Sequence, residues 1–220
     1  MNAPAQRPAI ETVPIGLRVE GRLIVIVGAG PIAARKAAAY YHQGANLRVV
    51  APEHSPEMEL LGSDGDPSRI DRIVASYNTR HLARAWMVVT ATGDPAVDGA
   101  VFVDAEKRRM WCNAADDPVH CSVILPSVAR KGPLTIGIST GGTSPATASW
   151  MRRRAQRFVE NELLSDASLA AHGVARTVRN EMRAAGKPTE VEGWQEALDE
   201  FENRLRALVS AGVPLEWAAS

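Results

Sequence analysis

Leu23-Ile24-Val25-Ile26-Val27-Gly28-Ala29-Gly30-Pro31-Ile32-Ala33 is the stretch from which the fold follows. Its first five residues are apolar and mostly β-branched, which predicts a short strand buried on both faces, as in a parallel sheet. Gly28-Ala29-Gly30 stops the run. Pro31 suits the first turn of a helix, and the alanine-rich segment Pro31 to Gln43 ends at Gly44, the expected punctuation of an α-helix. Leu47-Arg48-Val49-Val50 reads as the next strand. Strand, glycine turn, helix and strand within about thirty residues make a βαβ unit. Gly28 to Ala33 also fits G-x-G-x-x-G/A. The first glycine permits the tight turn, the second lets the backbone approach a pyrophosphate, and the small Ala33 lets helix and strand pack closely. Pro31 lacks an N–H, so the amides of Ile32 and Ala33 carry the anion-binding role of the helix N-terminus.

Working outward, Ile70–Ala75 is a candidate strand, with Asp71 and Arg72 implying partial exposure, and Met87–Ala91 is a buried one. Pro95–Arg109 reads as a helix and Met110–Asn113 as a further strand. Alternation of this kind predicts an α/β, Rossmann-like doubly wound parallel sheet. Beyond Asn113 the pattern changes. Asp116-Asp117-Pro118 is a turn, Val123-Ile124-Leu125 a short strand ended by Pro126, and Leu134–Ile138 another strand. Ser144 then caps a helix opened by Pro145. The remainder reads as helices only, over Pro145–Asn161, Asp166–Ala185 and Glu190–Val209, the last with Thr189 and Glu192 as a capping box. The division expected is residues 1–117 for the dinucleotide, a small α+β segment over 118–161, and a helical C-terminal region over 162–220.

Composition narrows the function class. Hydrophobic residues make up 45% and charged residues 23% of the 220, an ordinary globular profile. Lys plus Arg and Asp plus Glu balance at 25 each, which argues against nucleic acid as partner. No apolar run approaches the length of a membrane span. Met1–Ala9 has no apolar core of a signal peptide and reads as a loose tail. Cys112 and Cys121 read as free thiols in a reducing cytoplasm. The histidines (His42, His54, His81, His120, His172) show no metal-ligand spacing, so no permanent metal site is expected.

The cofactor set expected is Gly28, Gly30, Pro31, Ile32 and Ala33, with Pro52 and Glu53 behind the second strand and Thr92 behind the Met87–Ala91 strand. Glu53 stands about twenty residues past Ala33, where an acid accepts from the adenosine ribose and favours NAD over NADP. His54 and Arg48 nearby pull the other way.

Three stretches in order carry a resemblance. Gly21–Lys36 (GRLIVIVGAGPIAARK), Trp111–Pro118 (WCNAADDP) and Leu134–Pro145 (LTIGISTGGTSP) are similar to the glycine loop, aspartate turn and S-[ST]-G-G-x-S-P segment of siroheme synthases. The resemblance covers about Pro14 to Val159, and the chain is identified as a member of the precorrin-2 dehydrogenase and sirohydrochlorin ferrochelatase family. It implies NAD-dependent oxidation of precorrin-2 to sirohydrochlorin, in some members with ferrous iron insertion. It implies a homodimer with its active site between the nucleotide domain and the middle segment. The sequence ends at Ser220 without the methyltransferase domain of fused siroheme synthases, so a separate methyltransferase is the expected supplier of substrate.

By the same resemblance Asp116 is the functional aspartate. It either takes the proton lost on desaturation or orients a pyrrole N–H, whereas the residues alone favour plain turn chemistry. Asn113, Thr140, Gly141, Gly142, Ser144 and Arg152 form the expected substrate set, with Thr140 where several members carry serine. From Val128 to Val159 the charged residues are Arg130, Lys131, Arg152, Arg153, Arg154 and Arg157, with no acid. That suits a macrocycle of eight carboxylates, or a solvated helix face. His120, four residues past Asp116, is either a helper in chelation or a solvated loop residue. A ferrochelatase with a vestigial nucleotide site and a non-enzymatic NAD-binding sensor are the alternatives.

Overall fold

The computed structural model describes residues 10–160, 165–190 and 192–212. The tail Met1–Ala9 and the expected helix end at Asn161 lie outside the described residues. The chain forms two compact units, Met1–Leu125 with Gly141–Thr143, and Pro126–Thr140 with Ser144–Ser220.

In the first unit β1 (Leu23–Val27), α1 (Pro31–Tyr41), β2 (Asn46–Ala51), α2 (Pro56–Leu60), β3 (Ile70–Val74), β4 (Met87–Thr90), α3 (Pro95–Lys107) and β5 (Trp111–Ala114) follow in turn. The strands form one sheet in the order β3-β2-β1-β4-β5, every pair parallel. This is the Rossmann-like sheet that the βαβ pattern predicts.

The apolar run of β1 is continuous because both its faces are covered. Ile24 and Ile26 join Ala33, Ala37, Tyr40 and Tyr41 of α1 in one core, while Val25 and Val27 join Val101 and Ala105 of α3 in the other. Each buried valine or isoleucine among them stabilises the fold by about 1.5–3 kcal/mol. The helix over the first face is rich in alanine because backbone meets backbone there. Ala33 and Ala37 are wholly buried, and a larger residue at either costs about 1–3 kcal/mol through overpacking. β3 is an edge strand; Asp71 is exposed as expected, while Arg72 is half-buried, its guanidinium donating to the carbonyls of Met58, Glu59 and Leu61. The helix α2 is short and went unpredicted. It is capped by Ser55, which accepts from the Met58 N–H.

Val123-Ile124-Leu125 is not a strand. The amides of Ser122 and Val123 both donate to the Cys112 carbonyl, at 2.9 and 3.1 Å, and the segment lies irregularly along β5. Three residues ahead of a proline, which has no N–H to give, are too few for a ladder.

In the second unit the strand lies beyond that proline. β6 (Ser127–Lys131) pairs antiparallel with β7 (Leu134–Ile138) through the turn Gly132-Pro133. Gly132 takes φ 52°, which the first central position of such a hairpin requires. α4 (Pro145–Phe158) follows with Ser144 as N-cap. Gln156 ties α4 to β6, its amide accepting from Arg130 N and donating to Arg130 O.

α5 (Asp166–Ala184) and α6 (Trp194–Ser210) pack as a pair around Ala167, Ala170, Ala171 and Leu205. The expected Thr189–Glu192 capping box does not form. Gly193, at φ 89°, is the N-cap of α6 and no side chain caps the helix. A left-handed residue there redirects the chain and moves the helix start past Glu192. Among the described residues no helix is long and apolar enough to cross a membrane.

Candidate functional site

The carboxyl ends of β1 and β4 meet where the strand order reverses, the place at which open α/β sheets bind ligands. Gly28 leaves β1 at φ 102°, and a Cβ on it would stand 2.5 Å from the Ala91 carbonyl oxygen and 3.1 Å from the Thr92 nitrogen. Only glycine permits that approach. Its N–H donates to Val50 O at 2.9 Å, binding the loop to β2.

Gly30 is different. It sits at φ −74°, ψ 178° as N-cap of α1, and a Cβ there would meet nothing within 4 Å. The space beside it is open on the side of the first helical turn. No side chain caps that turn and no acid lies in it. The Ile32 and Ala33 amides are therefore available to an anion, with the positive end of the helix behind them. Residues 28–33 thus fit a dinucleotide pyrophosphate.

Thr92 is held on the other side of the crevice. Its hydroxyl donates to Asp98 Oδ1 at 2.7 Å and accepts from Asp94 N at 3.0 Å. Thr90 also donates to Asp98 Oδ1. Asp98 is buried in the first turn of α3, where the helix dipole favours a carboxylate. Sequence reading missed it, although an acid in the first turn after the N-cap Asp94 was the available signal. Pro52 and Glu53 are exposed just past the end of β2. His54 turns its Nδ1 to Glu59 Oε1 at 3.2 Å instead.

At the end of β5 the chain makes the aspartate turn. Asn113 is buried, and its amide donates to Val123 O at 2.9 Å. Its Oδ1 accepts from Lys36 Nζ at 3.0 Å. Asp116 adopts φ 59°, one of only three non-glycine residues at positive φ among those described. Such a conformation is uncommon and is often found where function fixes the backbone. Cys121 closes the turn. Its sulfur accepts from Ala114 N at 3.1 Å and reaches the carbonyls of Ala114 and Asp117 at 3.3 Å.

Burial pushes the Cys121 thiol up from its ordinary range, partly offset by the Ala114 hydrogen bond and Lys36. Cys112, buried on the opposite face, is pushed up to about 12, chiefly by burial. Both thiols are free. His120 is engaged, its Nδ1 lying 2.5 Å from Asp117 Oδ2 and its ring edge-on to Phe102. The hydrogen bond from His120 holds the Asp117 carboxyl below its usual value.

Lys36 is the residue of this region that sequence reading passed over. It stood in plain view at the end of the first motif, but a lysine on a helix next to the glycine loop gives no sign of which way it points. Burial lowers its pKa, opposed by Cys121 and Asp116 and reinforced by Arg35.

Gly141 and Gly142 belong to the first unit, both at positive φ. A Cβ on Gly142 would stand 3.0 Å from Pro118 Cβ, two residues past Asp116, and Gly141 O accepts from Ile10 N at 3.0 Å. Thr140, Ser144 and Arg152 belong to the second unit. Thr140 Oγ1 accepts from Ser144 N at 3.2 Å and donates to Ser144 O at 3.1 Å. Ser144 Oγ accepts from Thr147 N at 3.2 Å. Arg152 is half-buried, whereas Arg153 and Arg154 are exposed, the first on Ser149 and the second over the Trp150 ring.

Residues 15–127 match the family model described as "Putative NAD(P)-binding". Residues 131–154 match the model described as "Sirohaem biosynthesis protein central". Siroheme synthase 1 of Yersinia enterocolitica is 31% identical over 203 residues, 92% of this chain and 41% of that protein. Siroheme synthase 3 of Aeromonas hydrophila is 33% identical over 161 residues, 73% of this chain and 34% of that one. The chain thus spans well under half the length of these relatives. Among solved structures, "SirC, precorrin-2 dehydrogenase" superposes with a TM-score of 0.60 at 20% identity, covering 95% of this chain and 93% of that chain, and so shares its fold. The resemblance drawn from the three motifs is borne out. With just over half of its length under the first model, the chain belongs to this NAD(P)-binding family.

Proposed function

We propose that the protein is a precorrin-2 dehydrogenase, oxidising precorrin-2 to sirohydrochlorin with NAD in siroheme biosynthesis. The observation that carries this reading is the left-handed Asp116 on a turn at the carboxyl end of β5, in the same unit as a glycine loop that fits a pyrophosphate.

The reaction removes a hydride and a proton from the macrocycle. Bound NAD supplies the hydride acceptor. Gly28, Gly30 and the amides of Ile32 and Ala33 hold the pyrophosphate, and Pro31 presets the helix start. Pro52 and Glu53 meet the adenosine ribose, where a carboxylate accepts from a 2′-hydroxyl and repels a 2′-phosphate, favouring NAD over NADP. Thr92, fixed by Asp98, closes the β4 side. Asp116 accepts the departing proton or holds a pyrrole N–H in place. Thr140, Gly141, Gly142, Ser144 and Arg152 form the substrate set, while Asn113, expected among them, is buried with its amide spent on Lys36 and Val123 and shapes the turn from behind. The acid-free basic run from Arg130 to Arg157 attracts the substrate's carboxylates.

Residues 1–117, 118–161 and 162–220 serve in turn as cofactor, dimerisation and substrate, and helical regions. The protein acts in the cytoplasm as a homodimer on a product supplied by a methyltransferase. The His120–Asp117 pair favours a second activity, insertion of ferrous iron, in which the imidazole, held through Nδ1 by the carboxylate, takes a pyrrole proton.

Anaerobic incubation with enzymatically generated precorrin-2 tests both. Sirohydrochlorin formed only with NAD supports the dehydrogenase, and a clear NADP preference removes the role given to Glu53. Absence of product with either cofactor, from folded protein, overturns the reading. A protein-dependent acceleration of the later iron step, lost in His120→Ala, supports the second activity.

A further inference from the structure

The sheet-facing side of α1 is built from alanine and tyrosine, with Ala33, Ala34, Ala37, Tyr40 and Tyr41 all buried. Lys36 stands among them, half-buried, where an apolar side chain of similar length fills the space without desolvating a charge. Taking an ammonium even partly out of water is costly unless it is partnered, and among the described residues its one hydrogen-bond partner is Asn113 Oδ1 at 3.0 Å. That partner cannot turn away. The Asn113 amide nitrogen is taken by Val123 O at 2.9 Å, so a flipped amide would set donor against donor at Lys36 and acceptor against acceptor at Val123. Asn113 in turn lies 3.7 Å from Cys121 Sγ, the sulfur that holds Ala114 and Asp117. Lys36, Asn113 and Cys121 thus brace, from three segments of the chain, the one turn that carries Asp116.

We propose that Lys36 is a positioning residue for the dehydrogenation, its ammonium fixing through Asn113 the turn that presents Asp116 and setting a positive charge behind that carboxylate. This rests on the reading of Asp116 as the working carboxylate. The charged and titratable groups acting on the ammonium are Asp116 and Cys121 from the turn and its closing loop, and Arg35 on its own helix. Burial lowers the Lys36 pKa, so the ammonium is lost on the alkaline side earlier than an exposed lysine loses its own. Activity that depends on the charged form then falls over that same range.

The test has two arms. In the first, the Lys36 methylene next to the amine is followed by NMR against pH in the unmodified protein and in Asp116→Asn, with Lys36→Met giving the assignment. Asp116 acts to raise the Lys36 pKa, so its neutralisation moves the Lys36 titration to lower pH. A titration that does not move overturns the proposal whatever the activity. In the second, kcat/KM for precorrin-2 is measured against pH in the unmodified protein, Lys36→Arg and Lys36→Met. Loss of positioning lowers kcat about 10- to 100-fold in Lys36→Met, with the KM for NAD unchanged and the alkaline limb gone. Lys36→Arg restores most of kcat and carries that limb out of range, because guanidinium does not titrate there. Lys36→Met with unaltered kcat and alkaline limb overturns the proposal. Should the Lys36 titration respond to Asp116 while no sirohydrochlorin forms with NAD or NADP, the dehydrogenase reading falls and the coupling of the two residues stands.

Discussion

The two glycines of the loop make opposite demands, and substituting each by alanine separates folding from binding. Gly30 has φ −74° and ψ 178°, a conformation open to any L-residue, and a Cβ on it meets nothing within 4 Å. Gly30→Ala therefore carries no native strain, and it trims the freedom of the unfolded chain by about 0.4–1 kcal/mol. The expected unfolding midpoint is unchanged or slightly raised. In the proposed binding mode the added methyl stands where the pyrophosphate would approach the Ile32 and Ala33 amides. Displacing one charge-assisted hydrogen bond costs about 1.5–3 kcal/mol, which is about 10- to 100-fold in the NAD dissociation constant. Gly28→Ala behaves otherwise. At φ 102° the new Cβ stands 2.5 Å from a backbone oxygen that has no room to move. Left-handed strain of about 1–2 kcal/mol and overpacking of about 1–3 kcal/mol lower the midpoint by about 10 °C. Thermal unfolding and calorimetric titration with NAD read both effects. A folded Gly30→Ala that binds NAD as tightly as the unmodified protein would refute the placement of the pyrophosphate at the start of α1.

Asp116→Gly removes the carboxylate proposed to work in the reaction and also the cost of a left-handed side chain. Turnover should fall at least about 100-fold while stability holds or rises by up to about 1 kcal/mol, read by kinetics and denaturant unfolding on one preparation. Cys121→Ala leaves the Ala114 amide without its acceptor and should cost about 1–3 kcal/mol, most of it recovered in Cys121→Ser. Because burial raises both thiols, iodoacetamide near neutral pH should label the native protein slowly, Cys121 before Cys112, as mass spectrometry will show. Asp98→Ala strips the hydroxyls of Thr90 and Thr92 of their shared acceptor and should destabilise by about 2–4 kcal/mol, with NAD affinity falling alongside. Asp117 has its carboxyl held below the usual value. Its stabilising share is complete above the ordinary aspartate value of about 3.9 and fades as pH falls through the lower folded value. Being more than a third exposed, it should flatten the acid limb of stability by only a few tenths of a kcal/mol in Asp117→Asn.

The elements of the first unit were legible because each is announced by local chemistry. The β1 run is apolar on both faces since both faces are covered, and Gly28, Gly30 and Pro31 sit where turn and helix need them. The α3 start at Pro95 and the Ser144 cap before α4 were readable for the same reason. What failed was information that is not local. Val123-Ile124-Leu125 has the composition of a strand, but Pro126 and the Cys112 carbonyl decide its path. The strand β6 hides in Ser-Val-Ala-Arg-Lys, which acquires its pairing only from β7. Thr189 and Glu192 satisfy the spacing of a capping box, yet the left-handed Gly193 starts the helix beyond them. At the site, the motifs pointed to Asn113 and Asp116. The contacts of Lys36 with Asn113 and of Asp98 with Thr90 and Thr92 appear only once the sheet brings α1 to β5 and α3 to β4, although Asp98 had a local signal in its place on the first turn of α3.

The irregular path of residues 122–123 has a colloidal consequence. A parallel sheet that ends in a bare strand offers a row of open amides and carbonyls to any other chain, the usual seed of edge-to-edge aggregation. Here the Cys112 carbonyl on β5 is taken by Ser122 and Val123, and its amide donates to Ser122 Oγ at 2.8 Å. The opposite edge, β3, carries the exposed Asp71 instead, paired to Arg48 of the neighbouring strand. One rim of the sheet is thus sealed by the chain's own backbone and the other is guarded by charge. Substitutions at Ser122 or Asp71 should therefore reveal themselves first in inclusion bodies and light scattering, before any loss appears in the chemistry.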